Sequence, residues 1–503
     1  MKRFMSLFLR GAVLVPLFVL VLSGCSKKPA EAAGTAGTGG LDTSRRVEIS
    51  LYVISDEPAK QSEIYDNLNK MLIEKLNCTL KINWIPWAEF TNKYSLLFSS
   101  GEVFDLAYAA TWLNFAPLAQ KGAFMELDEL FPKYAPKNYA RQSKTALQQA
   151  TINGHIYAIP TLQATYSAYG PIYRAELALP YGWDGKMETM ADYEKYLQIV
   201  KDNNPGIEPI DIYSFGSEID SLYIQNDDYF MFKGTDFLFF DPRLDHPRII
   251  PLWEYEHVND FLTMIDRWNK AGFYPKNALS DTDSAKLRNG KSASRIHNPD
   301  SWTGEVHNNP QWDIRYANFV GDISNLPFTQ DALAVSNTSK NPERALALYD
   351  LITNDEEVWR AFFYGIEGKS YEIEVIDGQE YVKPINVDDY GFSALWAART
   401  NEFVLPTVGD PPELKQMKAE WDSRIKDGVR SQKFQSLQID TTSVETEFAA
   451  CIAAHHQYWW PLELGYVDAS HLAEYKEKME AAGIEKVRAV LQAQMDSYLA
   501  GLN

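Results

Sequence analysis

The side chains best suited to chemistry in this sequence follow three short apolar runs near its start. They combine carboxylates, a hydroxyl group and indole rings, and they are Asp56, Glu57, Trp87, Thr111 and Trp112. An indole offers a flat apolar face and a carboxylate accepts hydrogen bonds, so this set suits recognition of a flat ligand that carries hydroxyl groups. Each indole also has a second interpretation, because a tryptophan near a strand end can cap a core. The 28 Tyr, 25 Phe and 13 Trp of the chain favour stacking surfaces.

The three runs are predicted to be strands of a single sheet. Apolar residues alternate over residues 47–54 and 80–84, residues 105–110 form a short apolar run, and the two segments between these runs repeat apolar residues at helical spacing. Strand, helix, strand, helix and strand in this order predict a parallel sheet covered by helices. In such sheets ligands bind beyond the carboxyl ends of the strands, which is where the five side chains stand.

The N-terminus carries the pattern of an export signal. Basic residues precede an uncharged run over residues 11–24, which is shorter than the ~20 apolar residues that span a bilayer. Small residues then lead into Cys25, a pattern that resembles the lipobox of bacterial lipoproteins, in which the cysteine becomes lipidated. We therefore expect a signal peptide over residues 1–24 and a lipidated Cys25 that begins a flexible tether ending at residue 46.

The acidic balance of the chain argues against two classes of partner. Without the three basic residues of the leader, 45 basic against 68 acidic residues give a net charge of −23. Such a charge repels nucleic acid and anionic lipid surfaces. Membrane attachment would then depend on the lipid at Cys25 and not on charge.

The other cysteines and the histidines indicate neither a disulfide framework nor a metal centre. Cys78 and Cys451 lie nearly a chain length apart beside apolar residues, so both are predicted to be small core residues. The Cys and His spacings match no zinc site. The adjacent His455 and His456 would point in different directions from a helix, and we interpret them as packing. The sequence predicts no metal and no cofactor.

Further elements follow along the chain. Asn-Gly between short apolar strands predicts a hairpin over residues 152–160. The segment HNPDSWTGE, at residues 297–305, is predicted to lie in a loop because Pro and Gly flank its acidic residue and its indole. Asn341 and Pro342 begin an amphipathic helix, and an apolar stripe over residues 487–499 predicts a helix at the C-terminus.

Several longer motifs follow the lipobox in a specific order. They are FSSGEVFDLAYAATW, LAQKGAFMELDELFPKYAP, GHIYAIP with YRAEL, NPERALALYDLITNDEEV, YGIEGKSYEI and LELGYVDASHLAEYKEKMEAAGIEKVRAVLQAQMDSYL. This order resembles that of the extracellular solute-binding proteins of bacterial ABC importers, in particular the large lipoprotein branch (family 1 type) associated with carbohydrate uptake. The resemblance covers most of the chain beyond the leader.

The resemblance implies an α/β, two-lobe, periplasmic-binding-protein-like (type II) fold with a central cleft and hinge crossovers. The implied boundaries are residues 47–162 with 331–376 for the first lobe, 166–321 with 377–503 for the second lobe, and 163–165 and 321–330 for the hinges. Ligand would bind in the cleft, and lobe closure would add contacts from the second lobe.

The same resemblance extends the set of candidate ligand-binding residues. A sugar ring carries C–H groups on its faces and hydroxyl groups at its edge, so a sugar site combines aromatic rings with carboxylate, amide and guanidinium groups. Beyond the five residues above, the candidates are Gln163, Tyr166, Asp300, Trp302, Tyr364, Glu367, Lys369, Tyr371, Trp396 and Arg399. We expect Asp300 and Trp302 to face ligand from a loop, and Trp396 and Arg399 to share a helical face.

The function implied by the resemblance is capture of an extracellular sugar, with an oligosaccharide favoured, and its delivery to the permease subunits of an ABC transporter. The protein would be a monomer without catalytic residues, anchored by Cys25 to the outer face of the bacterial cell membrane. Two alternatives stay open. One is a surface-anchored glycoside hydrolase, whose chemistry also requires paired carboxylates, and the other is a peptide-binding or sensory lipoprotein of the same fold.

Overall fold

A computed structural model describes most of the chain beyond the predicted leader. The described residues are 40–87, 89–213, 217–232, 235–391, 398–428 and 433–502. Cys25, the predicted signal peptide and Trp396 therefore lie outside the described residues. Within those ranges, no helix has both the length and the apolar character that a membrane span requires.

The regular elements of the described residues are helices and mostly short strands. The strands are β1 (Val47–Ile54), β2 (Cys78–Ile85), β3 (Leu106–Tyr108), β4 (Thr151–Ile152), β5 (His155–Ile156), β6 (Gly170–Arg174), β7 (Phe230–Met231), β8 (Leu238–Phe240), β9 (Ile250–Pro251), β10 (Ser294–His297), β11 (Ile314–Tyr316), β12 (Leu333–Val335), β13 (Tyr371–Ile376) and β14 (Gln379–Pro384). The helices are α1 (Gln61–Leu76), α2 (Phe90–Ser99), α3 (Phe115–Gln120), α4 (Leu130–Tyr134), α5 (Pro136–Arg141), α6 (Lys144–Gln149), α7 (Met190–Asn203), α8 (Ile219–Asn226), α9 (Val258–Ala271), α10 (Pro299–Asn308), α11 (Pro342–Asn354), α12 (Glu356–Phe363), α13 (Val387–Tyr390), α14 (Leu414–Asp427), α15 (Glu445–Ala454), α16 (Trp460–Glu463), α17 (Leu472–Ala482) and α18 (Ile484–Ala500).

The first sheet confirms the predicted parallel arrangement. Its order is β12-β3-β1-β2. β1 pairs in parallel with β2 along its whole length, from Val47 opposite Cys78 to Ile54 opposite Ile85, and it also pairs in parallel with β3. β12 adds an antiparallel edge to β3. The carboxyl ends of β1, β2 and β3 therefore lie at one edge of the sheet.

The first core forms where helices cover this sheet. Alternation along β1 buries Ile49, Leu51 and Val53, and α1 contributes Leu68 and Leu72 from one helical face. Helices α11 and α12 supply further apolar side chains to the same cluster. We refer to this sheet, its core and the helices on it as the first lobe.

The second lobe is built on a three-stranded antiparallel sheet, in the order β10-β6-β11. Its large core combines α7 and α9 with side chains of α15, α17 and α18, so the C-terminal helices complete this lobe. Cys451 is fully buried in this core and Cys78 is fully buried in the first, and both are free thiols. Both cysteines are core residues, as predicted.

Two segments that connect the lobes run side by side. Leu326 N donates to Thr165 O at 2.8 Å, and Ser167 N donates to Ser324 O at 2.8 Å. These hydrogen bonds bring together the two segments predicted to be hinges. Two neighbouring connections of this kind allow the lobes to rotate while the backbone bonds between the segments stay satisfied.

The sequence predicts that the chain passes from the first lobe to the second at residue 377. In the structure, residues beyond 377 still pack in the first core. Val382 of β14 is fully buried in the first core, as is Ala398 further along the chain. The backbone of Val382 donates to Pro406 O at 2.9 Å and accepts from Val408 N at 2.8 Å. The described residues 379–391 and 398–408 thus remain with the first core before α14 joins the second lobe.

Candidate functional site

The carboxyl ends of the parallel strands carry the first group of predicted residues. β1 ends at Ile54, and Ser55 N donates to Ile85 O at 3.0 Å, which ties the end of β1 to the end of β2. Asp56 and Glu57 follow and are exposed. Neither carboxylate has a hydrogen bond or an ion pair with another described residue. Both are therefore available to accept hydrogen bonds from a ligand.

Two tryptophans of this edge stack on each other. The ring centroids of Trp87 and Trp112 lie 5.9 Å apart with 25° between the ring planes. Phe90, at the start of α2, meets Trp87 edge-on at 5.7 Å and Trp112 edge-on at 5.9 Å. Both indoles are half-buried against the first core. The structure thus brings the predicted aromatic residues together, and Phe90 joins them.

A residue of the predicted hinge segment 321–330 fixes Thr111 and Trp112. Thr111 Oγ1 donates to Gln330 Oε1 at 3.0 Å, and Trp112 Nε1 donates to Gln330 O at 2.8 Å. These bonds hold the indole in one orientation next to the segment that links the lobes. Gln330 was within a predicted hinge but was not a predicted site residue, because a glutamine in a loop has no distinctive pattern.

The other segment that connects the lobes, at the predicted hinge 163–165, supplies Gln163 and the nearby Tyr166. Gln163 Oε1 is buried and has no hydrogen-bond donor among the described residues. Tyr166 donates its hydroxyl to Asp422 Oδ1 at 2.8 Å, and its ring lies 5.2 Å from that of Trp421, so α14 of the second lobe holds it. Burial, followed by the hydrogen bond to Asp422, raises the pKa of Tyr166 above its usual value.

An ion pair between the lobes joins two further predicted residues. Arg399 Nη1 donates to Asp300 Oδ2 at 2.7 Å. Asp300 belongs to α10 of the second lobe, whereas Arg399 follows Ala398 of the first core. Desolvation opposes ionisation of Asp300, but the Arg399 guanidinium holds the pKa of that carboxyl below its usual value. Asp331, next to Gln330, is a second carboxylate near Arg399.

Trp302 corrects one expectation. The predicted loop at residues 297–305 is largely the helix α10, which Asn298 caps by accepting from Ser301 N. Residues two positions apart on a helix point to different sides, so Trp302 faces inward where Asp300 faces out. Its ring is fully buried, stacks on Tyr316 at 5.4 Å and donates Nε1 to Ile314 O at 3.1 Å. Trp302 is a core residue of the second lobe.

The residues predicted from YGIEGKSYE do not gather beside the tryptophans. Tyr364 and Tyr371 are buried in the first core, where the Tyr364 hydroxyl accepts from Leu405 N at 2.9 Å. Lys369 is exposed and pairs with Glu63 of α1 at 2.9 Å. Glu367 is also exposed, and it lines a groove of about 620 Å³ on the outer side of α1 and α12. Tyr364 and Tyr371 are predicted to face a ligand, but the structure directs their rings into the first core.

Other side chains near the lobe junction were missed by sequence reasoning. His297, at the end of β10, lies near Asp300. Its ring is 6.1 Å from that of Tyr169, the residue before β6. Glu218 forms a hydrogen bond with the Tyr169 hydroxyl. The run of tyrosines after residue 163 was a usable signal for Tyr169, whereas Glu218 becomes adjacent only through the fold.

A pair of buried carboxyl groups with raised pKa values lies outside this junction. Asp220 and Glu463 are buried in the second lobe and hydrogen-bond to each other. Trp459 Nε1 donates to Asp220 Oδ2 at 2.7 Å, and the Ser217 hydroxyl donates to Glu463. Burial, reinforced by the Asp220 charge, raises the pKa of Glu463 well above its usual value. With almost no exposed surface, this pair is structural and not a hydrolytic site.

Replacing Glu463 with glutamine is expected to flatten the dependence of thermal stability on pH. A carboxyl whose pKa is raised by folding stabilises the protein fully below its unfolded pKa, and that contribution is lost as pH rises through the folded pKa. We expect the loss of melting temperature between about pH 5 and about pH 8 to shrink in Glu463→Gln. The exposed Glu477→Gln variant should behave as wild type, and equal pH dependence in both variants would contradict the assignment.

The adjacent histidines are packing residues, as predicted. His455 is buried, its Nδ1 lies 3.0 Å from the Tyr475 hydroxyl, and its ring stacks on that of Trp459. Burial lowers the pKa of His455 to about 3, so the ring is neutral. His456 stacks on Trp460 with centroids 4.1 Å apart. Across the ranges that the structure describes, no group of His, Cys, Asp and Glu side chains could hold a metal ion.

Comparison with known proteins reveals related sequences and structures. The sequence profile described as "Bacterial extracellular solute-binding protein" matches residues 56–359, which is more than half of the chain, and that described as "Domain of unknown function (DUF3502)" matches residues 434–500. The chain is 26% identical over 496 residues to a carbohydrate ABC transporter substrate-binding protein of Streptococcus pneumoniae serotype 4, covering 93% of this chain and 96% of that relative. It is 25% identical over 193 residues to lipoprotein LipO of Bacillus subtilis, covering 38% and 36% of the two chains.

The fold is also similar to solved structures. The N-glycan transport solute-binding protein NgtS of Streptococcus pneumoniae, solved in complex with Man1GlcNAc, superposes with a TM-score of 0.76 at 23% identity. The superposition covers 90% of this chain and 100% of that chain. This likeness confirms the predicted α/β, two-lobe architecture.

Proposed function

Because the chain belongs to the family of bacterial extracellular solute-binding proteins, we propose that it captures an oligosaccharide between its lobes and delivers it to the permease of an ABC transporter. The observation that carries the sugar assignment is the stacked pair Trp87 and Trp112 at the carboxyl ends of parallel strands. Indole faces bind sugar C–H groups, while carboxylate and amide oxygens accept bonds from the hydroxyl groups. Asp56 and Glu57 at the end of β1, and Gln163 in the hinge segment, supply such oxygens.

The names of the relatives support this ligand class. The pneumococcal relative is described as a carbohydrate transporter subunit, and NgtS was solved with Man1GlcNAc and with Man5GlcNAc. These two glycans are therefore the first ligands to test. Because the relatives are transport proteins, we also propose that this protein binds its ligand without cleaving it.

Capture would proceed by closure of the lobes around the crossovers. We assign residues 47–162 and 331–408 to the first lobe and residues 166–321 and 409–503 to the second. A ligand shifts the balance between open and closed forms only by binding the closed form better. The bond between Arg399 and Asp300 crosses between the lobes and favours the closed form.

Export and anchoring complete the proposal. The N-terminal pattern and the similarity to a lipoprotein support cleavage before Cys25 and lipidation of that residue. A tether of some twenty residues, at about 5–6 Å × √n, would let the monomeric body reach about 25 Å from the membrane surface. This reach would allow repeated docking on the permease.

The proposed function can be tested with purified protein and a panel of glycans. Addition of Man1GlcNAc, Man5GlcNAc and other plant and host glycan fragments is expected to raise the melting temperature for at least one member. A ligand at 100 times its dissociation constant stabilises the folded protein by about 2.7 kcal/mol. A panel that gives no shift, together with a shift on addition of peptides, would overturn the sugar assignment.

The same incubations separate binding from hydrolysis. We expect the glycan that raises the melting temperature to be recovered intact, without new reducing ends. Release of reducing sugar would instead support a surface-anchored glycoside hydrolase.

A further inference from the structure

Arg399 stands beside the proposed sugar site and is fixed by first-lobe contacts. Its carbonyl accepts from Leu162 N at 3.3 Å, one residue before Gln163. The preceding Ala398 O accepts from Trp359 Nε1 at 2.7 Å. The guanidinium also interacts with Asp331, which adjoins the residue that anchors Trp112. Arg399 is thus placed where it could receive a negatively charged group of a ligand.

Asp300 already occupies that guanidinium. The bond from Arg399 Nη1 to Asp300 Oδ2 is 2.7 Å long, and the Arg399 side chain is only 16% exposed. A carboxylate or phosphate on a ligand would have to displace Asp300 to reach the same group. The Asp300 carboxylate offsets the positive charge of the guanidinium, so a ligand anion gains less from approaching Arg399 than it would from an arginine without a carboxylate partner.

The remaining charges at the site are mainly negative. Asp56 and Glu57 have no counter-ion among the described residues, and Asp331 adds a third carboxylate beside Arg399. Lys418 of α14 and the imidazole of His297 are further basic groups near Asp300. Carboxylates therefore outnumber cations around the proposed ligand.

We propose that Asp300, by neutralising Arg399, makes the site selective for uncharged glycans. This specificity rests on the proposed function and names the class of sugar that the site accepts. Hydroxyl groups of a neutral glycan donate to carboxylates such as Asp56 and Glu57. A carboxylate, phosphate or sulfate on a glycan is repelled by the same groups and meets an arginine whose charge Asp300 already offsets.

Matched glycan pairs test this specificity. The probes are Man5GlcNAc with and without mannose 6-phosphate, and a galactose-terminated N-glycan with and without sialic acid, measured by calorimetry. In the wild-type protein at low salt, the charged member of a pair is expected to bind at least about tenfold more weakly than the neutral member. The difference should shrink at high salt, because salt screens charge repulsion.

The variant that tests the role of Asp300 directly is Asp300→Asn, which removes the negative charge paired with Arg399. We expect the ratio of charged to neutral affinity to rise about tenfold in this variant, even if weaker closure lowers both affinities. Asp313→Asn is the matched control, because Asp313 forms a similar pair with Arg315 at 2.7 Å outside the lobe junction and the change in net charge is the same. The control should keep the wild-type ratio.

The outcomes are distinguishable. A lower affinity for charged glycans in wild type, relieved by Asp300→Asn and not by Asp313→Asn, supports the proposal. Equal binding of both members of a pair in wild type, or an unchanged ratio in Asp300→Asn, overturns it and leaves the proposed sugar-binding function intact. Failure of all four glycans and of the wider panel to bind would instead overturn the proposed function itself.

Discussion

Replacing Trp112 with alanine is expected to weaken glycan binding by roughly 30- to 150-fold, which is about 2–3 kcal/mol. The change removes one indole of the stacked pair, the ring that lies 5.9 Å from that of Trp87. It also removes the donor that bonds to Gln330 O. Because Trp112 is only half-buried, we expect a smaller effect on the melting temperature than a fully buried tryptophan would give. Calorimetry with the best ligand of the panel measures the affinity.

Two further variants control this experiment. Trp112→Phe keeps an aromatic face but loses the indole donor, and it should retain most of the affinity. Trp312→Ala removes another half-buried tryptophan, which lies under the Arg174 guanidinium at 3.8 Å in the second lobe. That variant should bind glycan within about twofold of wild type. An unchanged affinity in Trp112→Ala would remove Trp112 from the ligand site.

Replacing Lys286 with methionine is expected to lower the free energy of unfolding of the second lobe by about 3–5 kcal/mol. The Lys286 side chain is 3% exposed, and its ammonium is surrounded by oxygen atoms. The contacts are Ile212 O at 2.7 Å, Glu208 at 2.8 Å, Asp281 at 3.0 Å and Asp211 at 3.7 Å. Methionine keeps an unbranched side chain but removes the cation shared by these carboxylates, of which Asp211 still pairs with Arg295 at 2.8 Å. Denaturation by urea, followed at fixed pH, measures the loss.

The pH dependence of the Lys286→Met variant identifies the cause. Desolvation opposes the charged form, but hydrogen bonds to Glu208 and Asp281 raise the pKa of Lys286 above its usual value. Once the ammonium is gone, burial should raise the folded pKa of the nearby carboxyls, so the deficit should be smaller at about pH 5 than at about pH 8. Lys291→Met is the control, because Lys291 is 61% exposed and pairs with Asp283 at 2.6 Å. A deficit of equal size in both variants would contradict a special role for Lys286.

The part of the site formed by strand ends was predictable from local sequence. Parallel strands joined by covering helices must place their carboxyl ends at one edge, so Trp87 and Trp112 were expected together, and the structure stacks them. The first sheet, the free buried cysteines and the packing role of His455 followed from equally local patterns. Each of these conclusions depends on residues close together in sequence or on composition.

The residues between residue 300 and the C-terminus were harder to interpret. Pro and Gly around Trp302 resembled a loop, but Pro299 stands at the first position of α10, where a proline is well accommodated. The tyrosines of YGIEGKSYE resembled a stacking surface, yet the turn directs Tyr364 and Tyr371 into the first core. An aromatic residue has the same sequence signature whether it faces a ligand or a core, so only packing separates the two.

The sequence by itself determined the parallel sheet and the set of side chains at its strand ends, because both depend on hydrophobic periodicity among neighbouring residues. The two-lobe fold was implied by the order of motifs and their resemblance to solute-binding proteins. The tertiary structure decided which distant groups meet, including Asp300 with Arg399 and Asp220 with Glu463. The first contact depends on how the two lobes pack against each other, and the second on packing within the second lobe. One group changes the pKa of another only when packing brings the two within a few ångströms.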